Sequence, residues 1–117
     1  MSKRPAPLRL DPRLLAECLD YDPETGALTW RRRPVAHFAS SRAWSISNAK
    51  LAGTRAGSIS ENGYLALHLN GRKLYGQRVA WALHHCADVP AGHRVHLIGT
   101  ARDDIRIANL ELREVRA

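Results

Sequence analysis

The sequence contains few cysteines and no long apolar run, and each shortage excludes a class of protein. Cys18 and Cys86 are the only two cysteines and lie far apart, so they cannot form a disulfide framework, and we expect a reducing, cytoplasmic setting. No apolar run approaches the roughly 20 residues that a membrane-spanning helix needs. The basic N-terminus lacks the apolar segment of a signal peptide. We therefore expect no membrane partner.

Acidic residues are also scarce relative to basic ones. The 117 residues include 18 Lys and Arg against 11 Asp and Glu, which gives a net charge of +7. Such an excess favours a polyanionic partner or serves solubility alone. The length and the 44% hydrophobic content predict one small domain with a modest core. We predict a basic flexible tail over residues 1–10, which contains Pro5 and Pro7, and a single folded domain over residues 11–117.

The first regular elements predicted are a helix and a strand joined by a turn. Asp11 is a suitable N-cap and Pro12 suits the first helical position. The helix should run to about Asp20, with an apolar stripe made of Leu14, Leu15, Cys18 and Leu19. Residues 21–26 predict a turn, and residues 27–31 alternate as a strand.

Residues 57–76 predict a three-stranded antiparallel meander. A short strand over 57–60 and a turn over 61–63 precede a strictly alternating strand, in which Leu65, Leu67 and Leu69 share one face. Asn70-Gly71 predicts a type I′ hairpin turn, and residues 72–76 return as the partner strand.

The last part of the sequence predicts a second helix and a hairpin. The helix should span residues 77–87 and bury Val79, Ala82, Leu83 and Cys86. A strand over 93–98 and a strand over 110–115 follow. The predicted fold is therefore α+β: a small single domain with an antiparallel meander, two main helices and a C-terminal hairpin region.

Two stretches resemble the HNH endonucleases of phages and mobile elements. Residues 21–30 read Tyr-Asp-Pro-Glu-Thr-Gly-Ala-Leu-Thr-Trp, a phrase that recurs in that group. Residues 95–110 follow the helix start at 76–81 and align without a gap to Val-Asp-His-Ile-Asn-Gly-Asp-x-x-Asp-Asn-Arg-x-x-Asn-Leu. The matching residues are Val95, Ile98, Asp104, Arg106, Asn109 and Leu110. The resemblance implies a ββα-metal arrangement in the C-terminal region, with a single turn over residues 104–109.

The positions that carry the chemistry of that family are degenerate here: they are Gln77, His96, Leu97, Ile105 and Asn109, of which only Asn109 keeps a family residue. HNH cleavage needs a His base and a hard cation held by oxygen ligands. Leu97 stands at the base position and His96, a poor Mg²⁺ ligand, at the Asp position. The sequence also ends before the family's last helix, so we expect its second ligand to be missing. The resemblance implies an inactive scaffold with no catalytic residue and no cofactor.

Two further expectations concern the same positions. Leu97 and Ile105 replace polar residues that face the metal pocket of the family, so we predict that Leu97 is largely buried and closes the pocket against Ile105, with Trp81 or Val79. Shifting the alignment by one residue would put His96 at the base position, but would place Val95 at the metal-ligand position.

A zinc site is a separate possibility. It would draw on His84, His85, Cys86, His93 and His96. Their spacing matches no strong zinc-finger pattern, and His84 and His85 should point to different sides of a helix. Surface histidines on a basic protein are the favoured interpretation, and no metal site is predicted.

Six basic side chains are predicted to contact nucleic acid: Arg31, Arg32, Arg33, Arg72, Lys73 and Arg78. The run of three arginines beside Trp30 suits phosphate contact with possible stacking. Three functions follow from these features. The first is binding of DNA or a nucleoprotein target without catalysis, the second is inhibition of a host defence system by protein contact in the manner of anti-CRISPR proteins, and the third is metal-dependent cleavage by a divergent HNH site. We expect the first, with no small-molecule substrate.

Overall fold

The computed structural model describes residues 10–32, 40, 42, 45, 52–69 and 72–115. Within these ranges the chain forms two α-helices, one short 3₁₀ helix and three antiparallel sheets, which confirms the α+β prediction. In chain order the elements are α1 (Pro12–Cys18), β1 (Leu19–Tyr21), β2 (Leu28–Trp30), β3 (Ser58–Ile59), β4 (Leu65–Leu69), β5 (Arg72–Tyr75), α2 (Gly76–His85), β6 (His93–Leu97), the 3₁₀ helix (Ile107–Asn109) and β7 (Leu110–Glu114).

Helix α1 begins as predicted but ends earlier. The Asp11 carboxylate accepts a hydrogen bond from the backbone N–H of Arg13 at 3.0 Å, and Pro12 occupies the first turn. The helix stops at Cys18 instead of near Asp20 because residues 19–21 form β1 and pair with β2. A strand this short exists only because a partner strand is available, which the local sequence does not reveal.

Leu10 marks a difference from the predicted tail. Residues 1–9 lie outside the described residues, but Leu10 is only 5% exposed and belongs to the core. Its backbone N–H donates to an Asp88 carboxylate oxygen at 3.0 Å. The packed part of the chain therefore includes the last residue that we had assigned to the tail.

The central sheet confirms the predicted meander. Its strand order is β3-β4-β5, with Leu67 opposite Leu74 and Ala66 opposite Tyr75. The inward-facing leucines pack into the core as expected. Ala66, on the opposite face of β4, is also buried, and its cross-strand neighbours are Ser58 and Tyr75. The Asn70-Gly71 turn lies outside the described residues.

Helix α2 packs against this sheet and supplies much of the core. Gly76 opens the helix where a Cβ would lie 3.0 Å from the Leu65 side chain, so glycine permits the close approach. Val79 and Ala82 are fully buried, as predicted. The predicted burial of Cys86 is wrong: the residue adopts a left-handed conformation with φ 54°, ends the helix and is exposed. Leaving the helical path turns its side chain away from the apolar stripe.

The C-terminal segment forms the predicted hairpin. Strands β6 and β7 pair antiparallel, with His96 opposite Glu111 and Leu97 opposite Leu110. The predicted turn between them closes as the 3₁₀ helix. Across the described ranges, no helix combines the length and apolar character that a membrane crossing requires.

Candidate functional site

An open cleft of about 1290 Å³ lies where α2, β6 and the outer edge of the meander meet. Three of the five degenerate positions line it, namely Gln77 from α2 and His96 and Leu97 from β6. Ile105 and Asn109 do not line it. The fold thus brings together the positions at which the resembling family places its helix His, its metal-ligating Asp and its base.

Leu97 does not close this cleft as predicted. It is half-buried and packs against the core cluster that contains Ile105, which is itself only 2% exposed. Trp81 and Val95 also contact the cluster as partly buried residues. Among the described strands β6 pairs only with β7, and it runs along the cleft wall, so packing covers Leu97 incompletely. Ile105 is therefore the more deeply buried of the two, and Leu97, which was predicted to be largely buried, stays partly exposed at the cleft.

Gln77 lines the cleft, and its side chain contains a buried polar atom. Its Oε1 atom is buried without a hydrogen-bond partner, a state shared among the described residues only with Arg72 Nε. A buried acceptor without a partner is costly, by about 1–3 kcal/mol. Gln77 thus lines the cleft while its Oε1 atom is shielded from solvent.

The charge of the cleft is mainly positive. Its arginines are Arg78, Arg94 and Arg102, and its only described carboxylate is that of Asp88. Arg78 Nη2 lies 3.2 Å from both Asp88 oxygens. Asp88 also accepts from the backbone N–H groups of Leu10 and Val89, so its oxygens are already committed to the fold. Arg94 and Arg102 remain as exposed cations at the cleft.

A row of cations and aromatic rings adjoins the cleft, and we call Arg102, Tyr64, Tyr75 and Lys73 the cation–aromatic strip. The two rings lie 6.0 Å apart between centroids in a T-shaped arrangement. The Arg102 guanidinium lies 5.5 Å from the Tyr64 centroid, and Lys73 Nζ lies 5.3 Å from that of Tyr75. Of these residues we had predicted only Lys73. The two-residue period of β5 could have placed Lys73 beside Tyr75, but the contact of Arg102 with Tyr64 depends on tertiary structure.

The other basic residues predicted to bind nucleic acid lie in different surroundings. Arg31 Nη1 donates to the carbonyl oxygen of Ala16 at 2.7 Å, and neither Arg31 nor Arg32 lines the cleft. Arg33 lies outside the described residues. Arg72 is half-buried at the start of β5, and Arg78 is held by Asp88. Their nucleic-acid contacts stay predictions.

The residues that match the resembling family hold the loop before β7. Asn109 Oδ1 accepts from the Gly99 N–H at 2.7 Å, and Asn109 Nδ2 donates to the Asp104 carbonyl oxygen at 2.8 Å. Arg106 donates to both Asp104 carboxylate oxygens, at 2.8 and 2.7 Å. These bonds hold the pKa of Asp104 below its usual range and raise that of Arg106. The side chains of Asn109, Asp104 and Arg106 therefore bond to the backbone of this loop and to each other.

The two stretches that carry the resemblance contact each other. The Ile107 N–H donates to the Pro23 carbonyl oxygen at 3.0 Å, and the Tyr21 hydroxyl donates to the Ile105 carbonyl. A Cβ on Gly26 would lie 2.9 Å from the Arg106 backbone nitrogen, so glycine with φ 77° is required there. Burial, followed by the charges of Asp104 and Asp22, raises the pKa of Tyr21 to about 12.

The histidines do not assemble into a metal site within the described ranges. No three His, Cys, Asp or Glu side chains there come close enough together to hold an ion. The His84 and His85 rings pack edge to face, and His85 also contacts Trp81. His93 and His96 lie three residues apart on β6, which places their side chains on opposite faces.

Comparison with known proteins assigns no function. No protein-family model, curated protein or solved structure matches this chain. A functional assignment therefore depends on the chemistry of the cleft and the strip beside it.

Proposed function

We propose that this protein binds nucleic acid and does not cleave it. One observation carries the proposal: the cleft that contains Gln77, His96 and Leu97 is cationic, yet has an apolar side chain at the position of the family's base. Such a surface retains the means to attract phosphate while lacking the group that would activate water.

Attraction of phosphate follows from the charges around the cleft. Arg94 and Arg102 are exposed there, and the single described carboxylate of the cleft is neutralised by Arg78. The chain as a whole carries +7. A phosphate backbone that approaches this surface exchanges its condensed counterions for arginine side chains, and the released counterions favour binding.

Lack of cleavage follows from the donor set. Leu97 cannot take a proton from water, which the general base must do. Mg²⁺ prefers several oxygen ligands, but Asp88 already accepts hydrogen bonds from Arg78, Leu10 and Val89. Removal of one base alone costs an enzyme of this kind several kcal/mol of transition-state stabilisation.

The test combines binding and cleavage in one sample. Supercoiled plasmid is incubated with the protein in Mg²⁺ or Mn²⁺, and half of each sample is deproteinised before electrophoresis. The untreated half should show retarded plasmid, and retardation should decrease as salt is raised. The deproteinised half should show intact supercoiled plasmid.

Two results would contradict the proposal. Nicking that a chelator and His96→Ala both abolish would establish an active nuclease. No retardation of plasmid, and no binding of single-stranded DNA at low salt, would exclude nucleic acid as the partner. A defined protein bound directly and equally well at low and moderate salt would then favour the inhibitor hypothesis.

A further inference from the structure

The outer face of the meander carries an exposed aromatic side chain between two cations. Tyr75 is 37% exposed, and Lys73, two residues earlier on β5, points to the same face. Tyr64 lies against Tyr75 edge to face and is itself half-buried. The orientation of the Tyr75 ring is therefore set by a packed neighbour while part of its surface remains in solvent.

Several bonds hold the strip in place. Arg102 Nη1 donates to the Asn62 carbonyl oxygen at 2.7 Å, which joins the loop after β6 to the turn of the meander. Asn62 Nδ2 lies 3.4 Å from the Tyr75 hydroxyl. A ring held in this way loses little conformational freedom when a flat ligand stacks on it.

We infer that the cation–aromatic strip binds an unpaired segment of nucleic acid, with a base stacked on Tyr75 and the adjoining phosphates beside Lys73 and Arg102. This inference rests on the proposed function and specifies the form of its ligand. Bases within a duplex present only their edges in the grooves, whereas a base must leave the stack to offer its face to an aromatic side chain. An exposed tyrosine on a sheet surface between cations therefore suits single strands better than duplex.

The path from the strip continues into the cleft. Tyr64, Tyr75 and Arg102 line the cleft as well as forming the strip, and Arg94 also lines the cleft. A backbone that leaves the base on Tyr75 would thus meet a second exposed guanidinium. Lys73 is exposed, so its ammonium can turn from the ring towards a phosphate.

The test measures affinity by fluorescence anisotropy for a labelled mixed-sequence single-stranded DNA and for the same strand in a duplex. The wild-type protein should bind the single strand more tightly. Tyr75→Ala should weaken single-strand binding by about 5-fold to 150-fold, the range found for loss of one stacked base, and should change duplex binding much less. Tyr75→Phe keeps the ring and should recover the single-strand preference that Tyr75→Ala loses.

The matched control for charge is Arg13→Ala. Arg13 is exposed on α1, far in sequence from the strip, and its removal lowers the net charge from +7 to +6, as Lys73→Ala does. Lys73→Ala should weaken single-strand binding more than Arg13→Ala. Circular dichroism and thermal melting of each variant show whether the fold is intact. If Tyr75→Ala unfolds, the two single variants Tyr75→Phe and Lys73→Ala decide the outcome.

The outcomes separate the two proposals. If neither probe binds, the proposed function fails and this inference fails with it. If duplex binds but the single strand binds no more tightly, or if Tyr75→Ala and Lys73→Ala behave like Arg13→Ala, only the stacking surface is excluded. Equal weakening of both probes by Tyr75→Ala would likewise exclude stacking on an unpaired base.

Discussion

The Tyr21 hydroxyl donates a hydrogen bond to the backbone carbonyl oxygen of Ile105, 84 positions further along the chain. This bond joins the two stretches that resemble HNH endonucleases. Ile107 reinforces it by donating to Pro23, and Ile105 anchors the loop in the core. The two stretches that carry the resemblance thus form one structural joint, and Leu97 in the cleft stands at the position where that family has its base.

Replacing Tyr21 with Phe should destabilise the fold. The substitution removes the hydroxyl and leaves the Ile105 carbonyl oxygen without this donor in a half-buried setting. Loss of one such partner costs about 1–3 kcal/mol. Urea unfolding followed by circular dichroism would measure the change, with Tyr75→Phe as the matched control on the exposed sheet face. Equal stabilities of the two variants would show that the joint contributes nothing.

Tyr21 also predicts an alkaline transition. Its pKa is raised from 10.0 to about 12, so the folded state retains a proton that the unfolded state loses. The resulting stability is fully present below pH 10 and is lost as pH rises towards 12. Absorbance of tyrosinate should show a late ionisation step, and Tyr21→Phe should remove that step. If the folded protein shows no late step, or if Tyr21→Phe leaves it in place, the proposed environment of Tyr21 is wrong.

Asn109 should prove structural rather than catalytic. Its side chain accepts from Gly99 and donates to the Asp104 carbonyl, so Asn109→Ala breaks two bonds that close the loop between β6 and β7. We expect a loss of about 1–3 kcal/mol in the free energy of unfolding. Asn109→Asp keeps the acceptor but removes the donor, so it should also lower the free energy of unfolding. Its negative charge lies near Asp104 and adds to that loss. Urea unfolding beside an Arg113→Ala surface control would measure both, and unchanged stability would exclude the clamp.

Much of this fold could be predicted because its signals are local. The period of two in residues 64–69 and the capping pair Asp11-Pro12 identify β4 and the start of α1 without tertiary information. The end of α2 could not be predicted, since Cys86 adopts a left-handed conformation that favours glycine. Strand β1 was also missed, because only pairing with β2 makes it a strand.

The candidate site was less accessible to prediction than the fold. The alignment identified Gln77, His96 and Leu97 as related positions, and they do share one cleft. The strip required the folded chain, since Arg102 reaches Tyr64 only through the loop after β6. Charge runs in the sequence drew attention to Arg31 instead, whose guanidinium bonds to the carbonyl of Ala16.

Leu97→His should destabilise the protein without restoring cleavage. The imidazole must replace an apolar side chain that packs half-buried against the core. Burial of a whole leucine side chain stabilises a fold by about 1.5–3 kcal/mol, and part of this free energy is lost. A surface change such as Ile98→His, at a side chain that is 56% exposed, is the control. Thermal melting should show the larger decrease for Leu97→His. Plasmid nicking by Leu97→His with Mg²⁺ would contradict this prediction, because it would mean that the cleft supplies the oxygen ligands that the metal needs.

The last prediction distinguishes the two basic regions by the salt dependence of binding. Each phosphate contact on a single strand contributes a slope of about −0.7 in log K against log salt, so the double variant Lys73→Ala/Arg102→Ala should flatten the slope by about 1.4. The triple variant Arg31→Ala/Arg32→Ala/Arg33→Ala removes more charge but should flatten the slope by less than three contacts would, because the Arg31 guanidinium lies 3.8 Å from the Asp20 carboxylate and also bonds to the Ala16 carbonyl. Anisotropy titrations across a salt series measure both slopes. If the triple variant flattens the slope more than the double variant does, the phosphate contacts lie on the arginine run. If neither variant changes the slope, both regions are excluded.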